Sequence, residues 1–189
     1  SERTWGHGID WVHVHSSIQE PWIRASGQSH VHVIPHFIPV QKPKHSVSRD
    51  SNNHVQQQEA STLVVFGFFS QDKGQDIAIT ALHEIRKSWK EVQLICAGGT
   101  RRKEDKPYLA HCRGLIEKYG LKSAVEITGF VPDRLIDSIF QKAAIVIAPF
   151  RETTGSGSLA QAFARGKAII TSDHPLNREI EALSDHALV

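Results

Sequence analysis

Methionine is absent from all 189 residues, and the sequence opens on Ser1. Because a natural polypeptide starts with methionine, we expect the sequence to be a fragment of a longer chain. Cysteine is nearly absent: Cys96 and Cys112 are too few and too far apart for a disulfide framework or a four-ligand zinc site. This usage is typical of a reducing compartment, and we expect a cytoplasmic protein.

Long apolar runs and one-sided charge are also missing. No stretch approaches the roughly 18 to 20 apolar residues that span a bilayer, and no secretory signal opens the sequence. The 22 basic and 20 acidic residues leave a net charge of +2, and no Lys/Arg block resembles a nucleic-acid-binding arm. We therefore expect no membrane-spanning helix and no nucleic-acid partner.

The composition changes at residues 41–60, which are polar and show no apolar periodicity. This stretch is predicted to be a linker or a long exposed loop. Before it, the apolar runs 10–16 and 30–40 alternate with histidine in a period of two, which predicts half-buried strands, with a short helix between them. Residues 61–189 after it form the predicted main domain.

Short β-branched runs alternate with helical patterns along the main domain. Strands are predicted at 61–67, 92–98, 124–129, 143–149 and 167–172, and helices at 74–88, 107–119, 132–142, 156–165 and 175–183. This alternation is typical of right-handed βαβ crossovers, which build a parallel sheet covered by helices on both faces. We predict an α/β fold, a doubly wound, Rossmann-like domain.

Ligands of open parallel sheets bind beyond the carboxyl ends of the strands, and four loops there carry small or basic residues: 67–76, 97–103, 128–133 and 149–158. In the last, Thr154 to Ser158 precede a predicted helix, whose free N–H groups and dipole suit a phosphate. Alternatively, Ser156 or Thr154 caps the helix and the glycines form the turn. The loop alone leaves both interpretations open.

Smaller signals lie in the other loops. Lys73 with Gly74, at the start of the first helix, is either a ligand-binding cation or a solvated surface lysine. Gly98 and Gly99 either admit a ligand close to the backbone or turn the chain. Only Gly67 of a G-x-G-x-x-G pattern follows the first strand, and no Walker A pattern is present, which disfavours NAD or FAD binding and P-loop NTPase activity.

Twelve histidines raise the question of a metal site. His13/His15 and His30/His32 are spaced two apart, which places each pair on one face of a strand. No carboxylate or cysteine pattern completes a ligand set, so we interpret them as half-buried or surface histidines and expect no metal.

Five pieces of the sequence, together with residues 14–39, extend over almost the whole chain. They are "VVFGFFSQDKGQDIAITAL" (64–82), "LICAGG" (94–99), "ITGFVPDRLIDSIFQKAAIVIAPF" (127–150), "TGSGSLAQAFARGKAIITSD" (154–173) and Glu179. In these pieces and in their order, the chain resembles the nucleotide-sugar-binding domain of the GT-B glycosyltransferases of family 4.

The resemblance implies a division of the chain and an activity. Residues 1–40 would be the end of the acceptor-side domain and the crossover into the donor-binding domain. Residues 41–60 would be a linker or loop, and residues 61–189 would be a truncated donor-binding domain. The implied substrate is a UDP-, GDP- or ADP-sugar with no further cofactor. The implied reaction is retaining transfer of a hexose to a hydroxyl acceptor, such as a glycan or lipid-linked saccharide in polysaccharide biosynthesis. The resemblance also allows peripheral association with the inner membrane face. The isolated fragment would be inactive.

The resemblance also implies roles for single residues. Lys73 would neutralise the diphosphate leaving group, where negative charge builds up during transfer. The nucleobase pocket would be lined by Gly129, Phe130 and Val131. N–H donors to phosphate or sugar would come from Gly155, Ser156, Gly157 and Ser158, and the other implied donor-binding residues are Gly67, Gly98, Glu152, Thr153, Thr154 and Gln161. Catalytic residues of the acceptor side are not assigned.

Three positions depart from the family pattern. Phe68 stands where an arginine usually accompanies the lysine, and Thr153 and Gln161 stand where paired glutamates are expected. The Gln161 amide can still hydrogen-bond a ribose hydroxyl. Two alternatives therefore stay open: a nucleotide-sugar 2-epimerase or phosphorylase of the same architecture, and a non-catalytic module that binds a nucleotide sugar or a protein.

Overall fold

The computed structural model describes residues 10–34, 62–152 and 156–182. The predicted linker at 41–60, the second half of the apolar run at 30–40 and the loop residues 153–155 lie outside these ranges.

The N-terminal part is a small β-α-β unit. Strand β1 (Val12–Val14) and strand β2 (Val31–Val33) are parallel, and helix α1 (Glu20–Ala25) connects them. Val14 and Val31 are buried while His13 and His32 are exposed, so alternate side chains face opposite sides. The predicted half-buried strands and the short helix are confirmed.

The main domain is built on five parallel strands, β3 (Thr62–Phe66), β4 (Gln93–Ala97), β5 (Val125–Ile127), β6 (Ile145–Ala148) and β7 (Ala168–Thr171). Their order across the sheet is β5-β4-β3-β6-β7. Numbered within the domain this order is 3-2-1-4-5, that of Rossmann-like sheets. Strands β3 and β6 are neighbours. From β3 the chain continues to β4 and β5 on one side, and from β6 it continues to β7 on the other, so the topological switch point lies between β3 and β6.

Helices cover both faces of this sheet. They are α2 (Gln75–Ile85), α3 (Lys106–Lys118), α4 (Asp133–Lys142), α5 (Gly157–Phe163) and α6 (Pro175–Ala182). On one face α2 and α3 bury Leu82 and Cys112 against Leu94; on the other α4 and α5 bury Phe140 and Leu159. A fully buried Leu or Phe side chain stabilises the fold by about 1.5–3 kcal/mol. The two cores confirm the predicted doubly wound α/β fold.

The two parts of the chain are joined through the last helix. The Glu179 carboxylate on α6 accepts hydrogen bonds from Ser16 Oγ at 2.5 Å and from the Ser17 N–H at 2.9 Å. Partial desolvation would raise the pKa of Glu179, but these hydrogen bonds outweigh it and hold the pKa below its ordinary value. Within the described ranges, no helix has the length and apolar character needed to cross a bilayer.

Candidate functional site

The loops that follow β3 and β6 meet at the switch point. Gly74 has φ = +69°, and a Cβ on it would lie 2.0 Å from the carbonyl oxygen of Pro149. The Arg151 N–H donates to the Asp72 carbonyl at 2.8 Å. The two loops therefore touch backbone to backbone, and a side chain at position 74 would separate them.

Lys73 lies at this junction. Its Nζ is 3.3 Å from Asp72 Oδ2 and 4.7 Å from the centroid of the Phe150 ring, and its side chain is 23% exposed. Burial alone would raise the pKa of Asp72, but hydrogen bonding to Ser70 and attraction to Lys73 hold it below its ordinary value. Lys73 is thus held at the edge of the sheet where ligands of such folds bind, and it is not a freely solvated surface lysine.

Arg151 connects three separate elements. Its Nη1 and Nη2 donate to Asp76 Oδ1 and Oδ2 at 2.8 and 2.7 Å, and Nη1 also donates to the Gln71 carbonyl at 2.8 Å. The Tyr108 hydroxyl, from α3, donates to Asp76 Oδ1 at 2.6 Å. Desolvation would raise the pKa of Asp76, but the bonds from Arg151 and Tyr108 outweigh it and lower the pKa. The ion pair fixes the loop after β6 to the start of α2.

The same loop is held from the other side by residues that follow β7. Ser172 Oγ donates to the Phe150 carbonyl at 2.6 Å. Asn177 Nδ2 on α6 donates to the Ser172 carbonyl at 2.8 Å and to Thr171 Oγ1 at 2.5 Å. Residues 149–152, which lead into the predicted ligand loop, are therefore anchored on both sides.

The carboxyl ends of β3, β4 and β5 come together through glycine backbone. A Cβ on Gly98 would lie 1.9 Å from the Gly67 carbonyl oxygen, and one on Gly99 would lie 3.2 Å from the Phe130 N. The Gly67 N–H donates to the Ala97 carbonyl at 3.0 Å. We call the surface formed by Gly67, Gly98, Gly99 and Gly129 the glycine floor; it lacks side chains that would keep a ligand away from the backbone.

Two phenylalanines border the glycine floor. Phe130 is 75% exposed and Phe68 is 45% exposed. Arg101, from the loop after β4, lies over the Phe68 ring with 5.8 Å from Cζ to the ring centroid. Of the three residues predicted to line a nucleobase pocket, Gly129 and Phe130 border open space, whereas the Val131 side chain packs partly against the core.

The helix after β6 begins where predicted, and Ser156 is its N-cap. Ser156 is buried, and its Oγ accepts from the Leu159 N–H at 3.1 Å. Of the two roles that the sequence left open for this hydroxyl, the structure shows capping. Gly157 has open space around its Cβ position, and Ser158 Oγ lies 3.0 Å from Ser156 Oγ.

Gln161 faces a second ion pair. Its Oε1 accepts from Arg165 Nη1 at 2.5 Å, and Arg165 also donates to Asp137 Oδ1 from Nη2 at 2.5 Å. The amide oxygen of Gln161 is thus occupied. Glu152 is exposed. Thr153, Thr154 and Gly155 lie outside the described residues, and their predicted contacts with a ligand stay predictions.

A cleft of about 490 Å³ lies beside the switch point and contains none of the predicted site residues. Gln71, Pro107, Tyr108 and His111 line it together with three carboxylates, Asp76, Glu104 and Asp105. Asp76 is paired with Arg151, but Glu104 and Asp105 leave the lining negative, so this cleft is a poor candidate for an anionic ligand.

The histidines of the N-terminal unit pack on one another and on a tryptophan. The Trp11 ring lies 4.9 Å from His32 and 5.0 Å from His30, and His13 lies 5.7 Å from His32. Across the described part of the chain, no group of three or more His, Cys, Asp or Glu is placed to hold a metal ion.

Arg151, Asp76 and Tyr108 were not singled out from the sequence as site residues. Arg151 stands in the loop 149–158, which the sequence did indicate, but its partners Gln71 and Asp76 are 80 and 75 positions away in the chain. No local pattern marks Asp76 or Tyr108, because an acidic first helical turn and a half-buried tyrosine are common on ordinary helices.

Residues 47–189 match the family described as glycosyl transferases group 1. The chain belongs to this family. No curated protein matches the sequence significantly. The fold resembles several solved structures. HepE from Anabaena, in complex with UDP and glucose, aligns at TM-score 0.75 and 22% identity over 94% of this chain and 47% of that one.

Two other solved structures align less closely. A TarM mutant from S. aureus, in complex with fondaparinux, α-GlcNAc-glycerol and UDP, gives a TM-score of 0.69 at 16% identity over 88% of this chain and 30% of its own. The C-terminal domain of the glycosyl transferase group 1 family protein LpcC from Francisella tularensis gives a TM-score of 0.55 at 20% identity, over 63% of this chain and 65% of that one. These likenesses concern the fold, and this chain spans about half the length of HepE.

Proposed function

We propose that the chain is the donor-binding part of a family 4 GT-B enzyme and that its main domain binds a nucleotide diphosphate sugar at the switch point. The observation that carries the proposal is Lys73, held at the carboxyl ends of β3 and β6 beside the glycine floor. Family membership and the UDP in the HepE and TarM structures support a nucleotide sugar as the ligand. The likeness to the C-terminal domain of LpcC supports the C-terminal position of this domain.

In the proposed reaction the bond between the sugar's anomeric carbon and the diphosphate oxygen breaks, and a bond to the acceptor's hydroxyl oxygen forms. The electron pair of the broken bond leaves with the diphosphate, and a phosphate oxygen of the departing diphosphate takes the acceptor's hydroxyl proton. Lys73 stabilises the charge that develops on the diphosphate, because a fixed cation at that position needs no reorganisation during the reaction. Backbone N–H groups at Gly157 and Ser158 add donors, and Phe130 contacts the nucleobase.

We further propose a hexose as the transferred group, retention at the anomeric carbon, and a glycan or lipid-linked saccharide as acceptor. The glucose bound with HepE and the fondaparinux bound with TarM support a sugar donor and a glycan acceptor. A cytoplasmic location at the inner face of a membrane, and dependence of turnover on an acceptor-side domain, follow from the same proposal.

Calorimetric titration of the 189-residue chain with UDP, GDP and ADP tests the donor site. We expect one nucleotide to bind, and we expect Lys73→Gln to weaken its binding at least tenfold, since a charge-assisted hydrogen bond contributes about 1.5–3 kcal/mol. The matched control is Lys122→Gln, because Lys122 pairs with Glu117 on the surface and its side chain is 73% exposed. Absence of binding by the wild-type chain would contradict the proposal.

A second variant tests the backbone donors. Gly157→Pro removes the N–H at the first helical position, where proline is tolerated. Ser156 has φ = −135° and ψ = 95°, an extended conformation that suits a residue before proline. We expect weaker nucleotide binding with little change in melting temperature. Turnover of the matching nucleotide sugar by the full-length protein separates the transferase from a non-catalytic module.

A further inference from the structure

The second cation of the donor site is a residue that the family resemblance does not assign. We propose that Arg101, held over the Phe68 ring, binds the phosphate nearer the nucleoside, while Lys73 binds the phosphate nearer the sugar. This inference rests on the proposed function and adds a residue and a ligand orientation to it. Three observations carry it: the charge balance around the loops, the distances across the sheet, and the exposure of Phe68.

The charge balance separates Arg101 from Lys73 and Arg151, the cations of the loops that follow β3 and β6. Arg151 is neutralised by a bidentate pair with Asp76, and Lys73 lies 3.3 Å from Asp72. Among the residues that the structure describes, no carboxylate oxygen lies within 4 Å of the Arg101 guanidinium, which lies over the Phe68 ring. Its positive charge is therefore not cancelled in the free protein and is available to an anion.

Distances across the sheet place Arg101 between the two ends of the proposed ligand. Adjacent strands lie about 4.8 Å apart, so β3 and β5 are separated by roughly 10 Å with β4 between them. A nucleoside diphosphate that reaches from Lys73 after β3 to Phe130 after β5 must cross the end of β4. Gly98 and Gly99 present only backbone there, and Arg101 follows them two residues later in the same loop.

The Phe68 ring offers the arginine a contact in the free protein. The ring is 45% exposed, and the backbone of Phe68 is held by Gln75 Nε2, which donates to the Phe68 carbonyl at 2.8 Å. A contact with this ring restricts the long arginine side chain before a ligand arrives, so less conformational entropy is lost on binding. Phe68 thereby acts as a support for the guanidinium and not as a contact for the base.

Titration with a nucleotide and with its nucleoside tests this assignment. The probes are the one of UDP, GDP and ADP that the wild-type chain binds most tightly, and the corresponding uridine, guanosine or adenosine. We expect Arg101→Gln to weaken the diphosphate about tenfold and to leave the nucleoside within about twofold, and Arg101→Lys to restore part of the loss. Phe68→Ala should give a smaller loss with the same selectivity for the diphosphate.

The matched control is Arg102→Gln, which removes the same charge from the next residue, which is also exposed. Its diphosphate affinity should stay within about twofold of the wild type. Equal losses for the Arg101 and Arg102 variants, equal losses for diphosphate and nucleoside, or no loss would each overturn the role of Arg101 while the donor site stands. Failure of the wild-type chain to bind any of the three nucleotides would overturn both the role of Arg101 and the proposed function.

Discussion

The Asp76–Arg151 pair should contribute measurably to stability, and Asp76→Asn tests this with little change in volume. Asparagine can still accept through Oδ1 from Arg151 and Tyr108, but its NH₂ group then faces Arg151 Nη2, so that one charge-assisted bond is lost. Such a bond contributes about 1.5–3 kcal/mol, and Arg151, 37% exposed, recovers part of the loss from water. We expect the free energy of unfolding to fall by about 2 kcal/mol.

Differential scanning calorimetry measures the effect, which for a domain of this size corresponds to a melting temperature lower by about 4–8 °C. The control is Asp173→Asn, because Asp173 also accepts two hydrogen bonds from one arginine, from Nε and Nη2 of Arg178 at 2.5 and 2.6 Å, while both side chains are about 70% exposed. Solvent screens that pair, so the control should melt close to the wild type. Equal shifts in the two variants would refute the argument that burial of Asp76 decides the effect.

The charge of Asp76, the backbone at Gly98 and the burial of the two thiols each lead to a further prediction. The pKa of Asp76 is lowered in the folded protein, so the ionised carboxylate stabilises the fold fully above its unfolded pKa of about 3.8, and this stabilisation is lost as the pH falls through the folded pKa. The difference in melting temperature between the wild type and Asp76→Asn should therefore shrink from pH 6 to pH 3. In urea denaturation, Gly98→Ala should lower the free energy of unfolding by several kcal/mol, because the new Cβ would lie 1.9 Å from a carbonyl oxygen. Gly114→Ala, inside α3 with open space around the Cβ position, should raise the free energy of unfolding by about 0.5–1 kcal/mol. Burial raises the pKa of both thiols, that of Cys112 to about 11, so iodoacetamide at pH 8 should label Cys96 and Cys112 only after unfolding.

The sheet and its helices could be predicted because their signals are local. An apolar run such as 92–98 and a helical pattern such as 107–119 each carry their own periodicity, and β4 (Gln93–Ala97) and α3 (Lys106–Lys118) lie within or next to those bounds. The alternation of the two patterns then leaves few topologies, since parallel crossovers are right-handed.

The loops around the site could be located from the sequence, but the contacts within them could not. The carboxyl ends of parallel strands meet at one edge, which placed Lys73, Gly98 and Phe130 together. The ion pair of Arg151 with Asp76 depends on how α2 packs against the loop after β6, and no spacing in the sequence encodes that packing. The choice between capping and anion binding at Ser156 likewise needed the Leu159 N–H to be located in three dimensions.

The hydrogen bonds from Ser16 and Ser17 to Glu179 bear on the order in which the chain folds. They join residues 163 and 162 positions apart, whereas each βα unit of the main sheet forms from neighbouring segments. Contacts of such long separation require closure of a large loop and form after local ones. We therefore expect the N-terminal unit to associate last and to detach first, so that in native-state hydrogen exchange the amides of β1 and β2 should exchange well before those of β3 and β4.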